Sequence, residues 1–333
     1  MNRRAPWVAL AGCCVCLLLH AAAHAQEVDL GGAREKITTV SAVRARSAPQ
    51  TGAQELTRLK LGTVLSADAR TAERAEVSGK SEYWYRVALP GGGRGWVFGG
   101  LLADYDPARR DEAVRRIVAE RLKAETMSAD DALDFYNFVA GELASAGAAS
   151  KGELELARLH ALGRAAGSMG ETTEGKPANP DFVRAHAREL YHHEFAGGWA
   201  VEPERFWELE VKYRGTPLGD RIAWDAAQAL YNGECESDEV CQFIGLHGTQ
   251  GRYLGLYPKG AHAAEALQEL ARALESKELD ASLKSKSPDK YAVQERTALR
   301  KALVELRAAA SKADAPEKEA VLQRLDKLVP AGR

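Results

Sequence analysis

The hydrophobic positions change their period twice along the chain. From Trp7 to Leu19 the apolar residues run almost unbroken. From residue 35 to 104 they come in short runs that partly alternate with polar positions, the period of a half-buried strand. Beyond residue 106 they recur every three or four positions, as on one face of a helix. The pattern therefore predicts an apolar leader, a strand-rich segment and a long helical segment.

The strand-rich segment carries matching chemistry. Thr38 to Arg46 is rich in Thr and Val, and Ser47-Ala48-Pro49 reads as a turn. Leu56 to Lys60 and Val64 to Ala67 flank Gly62. Tyr83-Trp84-Tyr85-Arg86-Val87 is aromatic and β-branched, the content a pleated surface favours. Pro90-Gly91-Gly92-Gly93-Arg94-Gly95 supplies hairpin-turn residues before Trp96-Val97-Phe98. That glycine run lacks the following Lys-Ser/Thr of a phosphate-binding loop. The polar stretch Arg70 to Lys80 reads as an excursion between strands. Short strands with frequent turns predict a small all-β barrel over residues 35–104. Alternation sets Tyr83, Tyr85 and Val87 on one face of their strand, with Trp84 and Arg86 on the other. It leaves open whether Trp84 packs inside, against the helices, or faces a ligand.

These residues carry a resemblance. Val43, Arg44, Pro49, Gly62, Trp84, Val87, Gly95, Trp96, Val97 and Leu101 occupy, in order, the positions of the bacterial SH3-like (SH3b) pattern. The long polar loop between Asp68 and Ser81 departs from it. The resemblance implies an SH3-like barrel that binds peptidoglycan, a cell-wall peptide or a partner protein. Trp84, Tyr85, Arg86, Arg94 and Trp96 are then the candidate ligand-binding residues, by ring stacking and charge pairing.

Helical signals begin at Asp106-Pro107, a cap followed by a first-turn proline. Val114, Ile117, Val118 and Leu122 share a face. Ser128 to Asp131 reads as a loose capping box before Leu133, Tyr136, Ala140 and Leu143. A third helix is predicted over 153–166, and residues 167–178 form the clearest linker. Asn179-Pro180 opens a helix expected to reach His193, where Gly197-Gly198 breaks it. An offset of 44 residues aligns Tyr213 with Tyr257, Ala229 with Ala273 and Leu230 with Leu274. In each copy a helix ends at the tyrosine, a Gly/Pro turn follows, and an alanine-rich helix begins. That turn logic resembles tetratricopeptide-like helical repeats, which implies a concave protein-binding surface. From Ser287 to Val329 a charged pattern carries the stripe Ala298, Leu299, Ala302, Leu303 and Leu306, and Pro316 marks the start of a last helix.

The leader changes the cellular setting. Arg3 and Arg4, the apolar stretch and Ala23-His24-Ala25 form a secretory signal, residues 1–25, cleaved after Ala25. Leu10-Ala11-Gly12-Cys13 offers a competing lipobox that would leave Cys13 as an N-terminal lipid anchor. The short apolar run before Cys13 and the apolar chain after it favour Ala25. No other segment reads as a membrane span, so the expectation is a periplasmic or secreted chain. Three of the five cysteines leave with the leader, and Cys235 and Cys241 remain as an expected disulfide. Losing Arg3 and Arg4 leaves 43 basic against 47 acidic residues, a formal net charge of −4, which argues against a nucleic-acid partner.

Catalytic chemistry is sparse. His186, His192 and His193 lack zincin spacing, so no metal or other cofactor is expected. No G-x-S-x-G elbow appears. Glu202, Glu204, Glu208 and Glu210 beside Phe206 and Trp207 are the candidate carboxylates for a cell-wall hydrolase, though the same spacing suits the wet side of a helix. The sequence thus predicts a multidomain chain: an SH3-like all-β barrel, then an all-α, repeat-like domain over 106–333. Its expected role is non-enzymatic binding or scaffolding in the cell envelope, with peptidoglycan or an envelope protein as partner. The hydrolase is the alternative.

Overall fold

The computed structural model describes residues 26–169, 179–193, 197–229, 235 and 238–329. The leader, Cys13, most of the expected linker and Glu194 lie outside them.

An N-terminal β-domain precedes a helical region. The strands are β1 (Glu27–Thr38), β2 (Val43–Arg46), β3 (Glu55–Leu59), β4 (Val64–Thr71), β5 (Ala75–Val77), β6 (Lys80–Glu82), β7 (Trp84–Ala88), β8 (Arg94–Phe98) and β9 (Leu102–Asp104). Seven of them form one antiparallel sheet in the order β3-β2-β8-β7-β4-β1-β9, while β5 and β6 form a separate hairpin. The sheet starts at Glu27, ahead of the expected residue 35. The first pairs, Glu27 with Thr71 to Asp29 with Ala69, join across an irregularity to Arg34 with Ala67. Gly31 and Gly32 sit in that irregularity at φ 66° and 140°, and with the charged neighbours they hide the strand's alternation.

A second irregularity lies between β4 and β7. Ala67 pairs with Val87, but Ala69 pairs with Arg86, so Asp68 is an extra residue on β4. A bulge of this kind bends the strand, and burial still alternates along β4, with Leu65, Ala67, Ala69 and Thr71 inside. Val87 faces one core with Val43, Leu59, Leu65 and Val97. Trp84 faces another, with Trp96 and Phe98. The polar excursion is the β5–β6 hairpin, which turns at Ser78 (φ 51°) and Gly79 (φ 77°), the backbone of a type I′ turn. Its Ala75 and Val77 pack on the Trp84 cluster.

The helices are α1 (Arg110–Leu122), α2 (Ala129–Ser145), α3 (Ala148–Ser168), α4 (Pro180–Ala185), α5 (Pro203–Tyr213), α6 (Pro217–Gln228), α7 (Glu239–Leu246), α8 (Arg252–Leu256), α9 (Ala263–Ala273), α10 (Lys277–Lys284), α11 (Lys290–Ala310) and α12 (Lys318–Leu328). The expected caps hold their helices. Ser128 Oγ accepts from Asp131 N at 3.3 Å and Asn179 Oδ1 from Phe182 N at 3.1 Å. The helix expected from Asn179 to His193 stops at Ala185. Strands β10 (Leu190–His193) and β11 (Gly198–Val201) form a hairpin in its place. Tyr191 and Trp199 favour extended backbone, and Gly197 (φ 63°) supplies the turn.

The helical region holds two cores rather than one. The first joins α1 to α6 and includes Phe135, Leu162, Trp207 and Trp224. The second joins α7 to α12 through Phe243, Leu267, Leu299, Leu303 and Leu325. Tyr253 and Leu254, adjacent on α8, go to different cores, so α8 stitches them together. A π turn at His247–Gly251 runs between α7 and α8. The two tyrosine joints share their logic. Tyr213 ends α5 and bonds Glu155 of α3 at 2.8 Å. Tyr257 follows α8 and bonds Glu210 of α5 at 2.8 Å. The helix entering Tyr257 carries the π turn and the helix entering Tyr213 does not.

The β-domain docks on α2. Ile37 and Leu61 belong to the first helical core, and Leu61 N donates to Asp134 Oδ2 at 2.8 Å. Gly62 (φ 76°) lies where a Cβ would meet the Phe138 ring at 2.2 Å. Only glycine fits both the backbone and the contact.

Candidate functional site

Most of the residues expected to meet a ligand turn inward or are tied up. Trp84 is 3% exposed and Trp96 7%, and the Trp84 and Phe98 rings lie 5.6 Å apart. The β5–β6 hairpin covers them. Neither indole offers an open face for stacking, because Phe98 and the hairpin residues Ala75 and Val77 pack around them. Tyr85 is half-buried, with Lys36 Nζ 4.2 Å from its ring centre. Arg86 donates Nε to Asp68 at 2.8 Å and also pairs with Glu27. The Arg86 hydrogen bond holds the Asp68 carboxyl below its ordinary value. Arg94 reaches Asp68 at 2.9 Å but keeps 63% of its side chain in solvent. Of the five residues, Arg94 alone presents a largely open charged group.

Arg94 rims a groove of about 830 Å³ that runs beside β3 and the β7–β8 turn. β3 ends the strand order, so one side of it carries no neighbouring strand. Leu59 is core, whereas Leu56, Arg58 and Lys60 are exposed, and the register against β2 shifts at Leu56. Leu56 is 43% exposed. Gly95 lets the floor form, since a Cβ there would sit 3.3 Å from both Leu56 and Leu89. The groove thus has an aliphatic floor of Leu56, Leu89 and Pro90 and a rim of Arg58, Lys60 and Arg94. Glu55 pairs with Arg44 and Arg58, and the Arg58 hydrogen bond holds its carboxyl low. Such a groove suits an extended segment with apolar side chains and negative charge.

Residues 41–103 match the family model of the bacterial SH3 domain.

The chain matches no curated protein and no solved structure. The SH3 match begins just ahead of β2, so β1 and its Glu27–Arg86 pair are additions outside it. The helical region falls wholly beyond the match, and the tetratricopeptide-like resemblance gains nothing from it. Composition concealed Leu56, Arg58, Lys60 and Leu89, which the sequence reading did not single out as site residues. Their one readable signal was period-2 spacing in Leu56-Thr57-Arg58-Leu59-Lys60. Nothing in that spacing says that β3 lies at the end of the sheet.

Three of the four candidate carboxylates, all but Glu202, have side-chain partners. Glu204 meets Arg252, Glu208 meets Arg205, and Glu210 meets Arg214 and Tyr257. Burial opposes the charge of Glu210, but Arg214 and Tyr257 outweigh it and its carboxyl lies below the ordinary value. Glu155 behaves alike under burial, Lys212 and Tyr213, and Glu189 under burial, Arg158 and His186. His186 contacts Glu189 at 3.1 Å. Among the described residues no group of three His, Cys, Asp or Glu is placed to hold a metal ion. Cys235 and Cys241 are joined as a disulfide at the start of α7. Among those residues no helix is long and apolar enough to cross a membrane.

Proposed function

We propose that this chain is a non-enzymatic recognition protein of the cell envelope. Its SH3 domain takes an extended, anionic wall peptide along the open side of β3. The observation that carries this reading is the groove itself, with three cationic side chains over an aliphatic floor beside the open side of an end strand. An edge strand supplies main-chain hydrogen bonds to an added segment, and flanking pockets supply selectivity. The bacterial SH3 match supports a wall or peptide ligand. The signal pattern at residues 1–25 supports a periplasmic or secreted location. The helical region then acts as scaffold and as the surface for a protein partner.

A hydrolase pair needs one carboxyl held protonated near neutral pH and a second one ionised. Glu155, Glu189 and Glu210 are all shifted the other way, which favours binding over hydrolysis as the reading of this region.

Sedimentation with insoluble peptidoglycan tests the proposal, comparing wild type with the Arg58→Glu/Arg94→Glu double variant. Both side chains are largely in solvent, so the fold should tolerate the change. The wild type should sediment, and should do so less as salt rises, because rim charges are screened. The double variant should remain in the supernatant. Equal sedimentation of both proteins, or none by the wild type, would overturn the assignment.

A further inference from the structure

The helix α11 is apolar on two sides. Leu299, Ala302, Leu303 and Leu306 are buried in the second helical core. The outer side of such a helix is ordinarily polar and charged. Here it carries Tyr291, Val293 and Val304, which are 78%, 41% and 54% exposed. Among the described residues seven large hydrophobic side chains are exposed, and three of them stand on this one helix. Tyr291 is the most exposed of the seven.

Cationic charge surrounds them. Residues 283–301 hold six basic residues against two acidic ones, in a mature chain that is net negative. Lys286 and Lys290 are exposed and pair with no acid among the described residues. Lys301 reaches Glu305 at 3.8 Å. The corner between α10 and α11 is tied down from within. Asp289 Oδ1 accepts from Tyr291 N at 2.9 Å, and Arg296 donates to Ser287 O at 3.2 Å. The lysines and the tyrosine are thus presented from a fixed frame.

The spacing bears on what covers this side. Docking of α11 into a partner's groove needs apolar anchors at i, i+3, i+4 and i+7. Tyr291, Val293 and Val304 lack that spacing and are spread over about 20 Å of helix, with lysines among them. Separate apolar side chains among cations suit the boundary between lipid headgroups and acyl chains. A tyrosine fits that boundary because its ring is apolar and its hydroxyl stays wet. Lysine stems lie along apolar surface while their ammonium groups reach phosphate.

We propose that the outer side of α11 rests on an anionic phospholipid surface. The helix lies along the bilayer without crossing it. Lys286, Lys290 and Lys301 meet lipid phosphates, and Tyr291 sits among the headgroups. The contact is separate from the groove beside β3. Together with the groove reading, it holds the chain between membrane and wall.

The test uses the chain from Gln26 onward, so that the apolar leader adds nothing. Vesicles are phosphatidylcholine alone, or phosphatidylcholine and phosphatidylglycerol in equal parts. Flotation should show the wild type on the anionic vesicles only, and less of it as salt rises. Lys286→Gln/Lys290→Gln should bind them about thirtyfold more weakly, the effect of two charges beside an anionic surface. These side chains are exposed, so the fold should tolerate the change. Arg58→Glu/Arg94→Glu should float as the wild type does. Equal binding to both kinds of vesicle, or undiminished binding by the lysine variant, would overturn the proposal. Loss of binding in Arg58→Glu/Arg94→Glu would assign the lipid contact to the groove and overturn it too. Absence of wild-type binding would overturn it outright. If dimers broken by the lysine variant formed instead, this side of α11 would belong to a second copy of the chain.

Discussion

The SH3 domain and the helical region use their aromatic residues in opposite ways. In the SH3 domain Trp84, Trp96 and Phe98 form a small apolar cluster sealed by the β5–β6 hairpin. In the helices Tyr213, Tyr253 and Tyr257 each give a hydroxyl to a carboxylate on another helix, Glu155, Asp220 and Glu210. The first arrangement gains stability from buried area, which pH does not touch. The second depends on a charged acceptor and a neutral donor. The contrast also bears on binding. With its indoles inside, the SH3 domain presents aliphatic side chains, cations and an open strand side at its surface rather than aromatic faces. The helical tyrosines are held as joints rather than displayed.

The largest effect expected from this contrast is in Trp84→Ala. Truncating a buried aromatic costs about 3–5 kcal/mol, and here it also removes support for the β5–β6 hairpin. Hydrogen exchange should rise through β7 and β8 while α3 and α6 keep their protection. Loss of peptidoglycan binding in this variant would report unfolding, not a missing contact, which is why Arg58 and Arg94 are the binding probes. A loss of less than about 1 kcal/mol would show that the indole is a surface ring and would erase the contrast.

Gly219→Ala makes the matching break in the helices, with a smaller expected effect. A Cβ there would lie 2.3 Å from Tyr213 O and 2.7 Å from the Tyr257 hydroxyl. The first neighbour is main chain and cannot swing away. Overpacking of this kind costs about 1–3 kcal/mol. Thermal unfolding followed by exchange should show α5, α6 and α8 loosened together, with the SH3 domain unchanged. Loosening confined to α6 would mean that the two joints are not mechanically linked.

How much of this was legible depends on how local the determinants are. The caps at Ser128 and Asn179, the cysteine pair and the turns after Tyr213 and Tyr257 are set by neighbours in sequence, whereas the carboxylates those tyrosines meet lie 58 and 47 residues away. The burial of Trp84 is not local. It follows from the β5–β6 hairpin, whose Ala75 and Val77 fold over the rings, and no count along Tyr83 to Val87 reveals that cover. The hairpin at residues 190–201 was hidden by the Asn179-Pro180 cap, a true helix start that says nothing about where the helix ends. The groove needed two facts that sequence does not carry, that β3 ends the strand order and that Gly95 brings Leu56 and Leu89 together. SH3-like spacing placed the domain, and only the fold showed which of its faces stays open.

The finest test is the pH dependence of one joint. In the folded chain burial and the Glu210 carboxylate push the Tyr257 hydroxyl up to about 12, against about 10 in an unfolded chain. A group raised on folding contributes stability below its unfolded value and loses it as pH climbs toward the folded one. The Glu210 carboxyl is lowered on folding, so its contribution is present above the ordinary carboxylate range and is lost as pH falls below it. Both limbs meet in the single Tyr257–Glu210 bond. Tyr257→Phe should therefore destabilise the helices by about 1 kcal/mol at pH 7, with Arg214 still holding Glu210. The gap between wild type and variant should close below about pH 4 and again above about pH 10. Denaturant titrations across that range, read by exchange at α5 and α8, give the profile. A gap that stays constant with pH would mean that the ring fills space without its hydroxyl acting. The helical tyrosines would then hold by area alone, like the tryptophans of the SH3 domain.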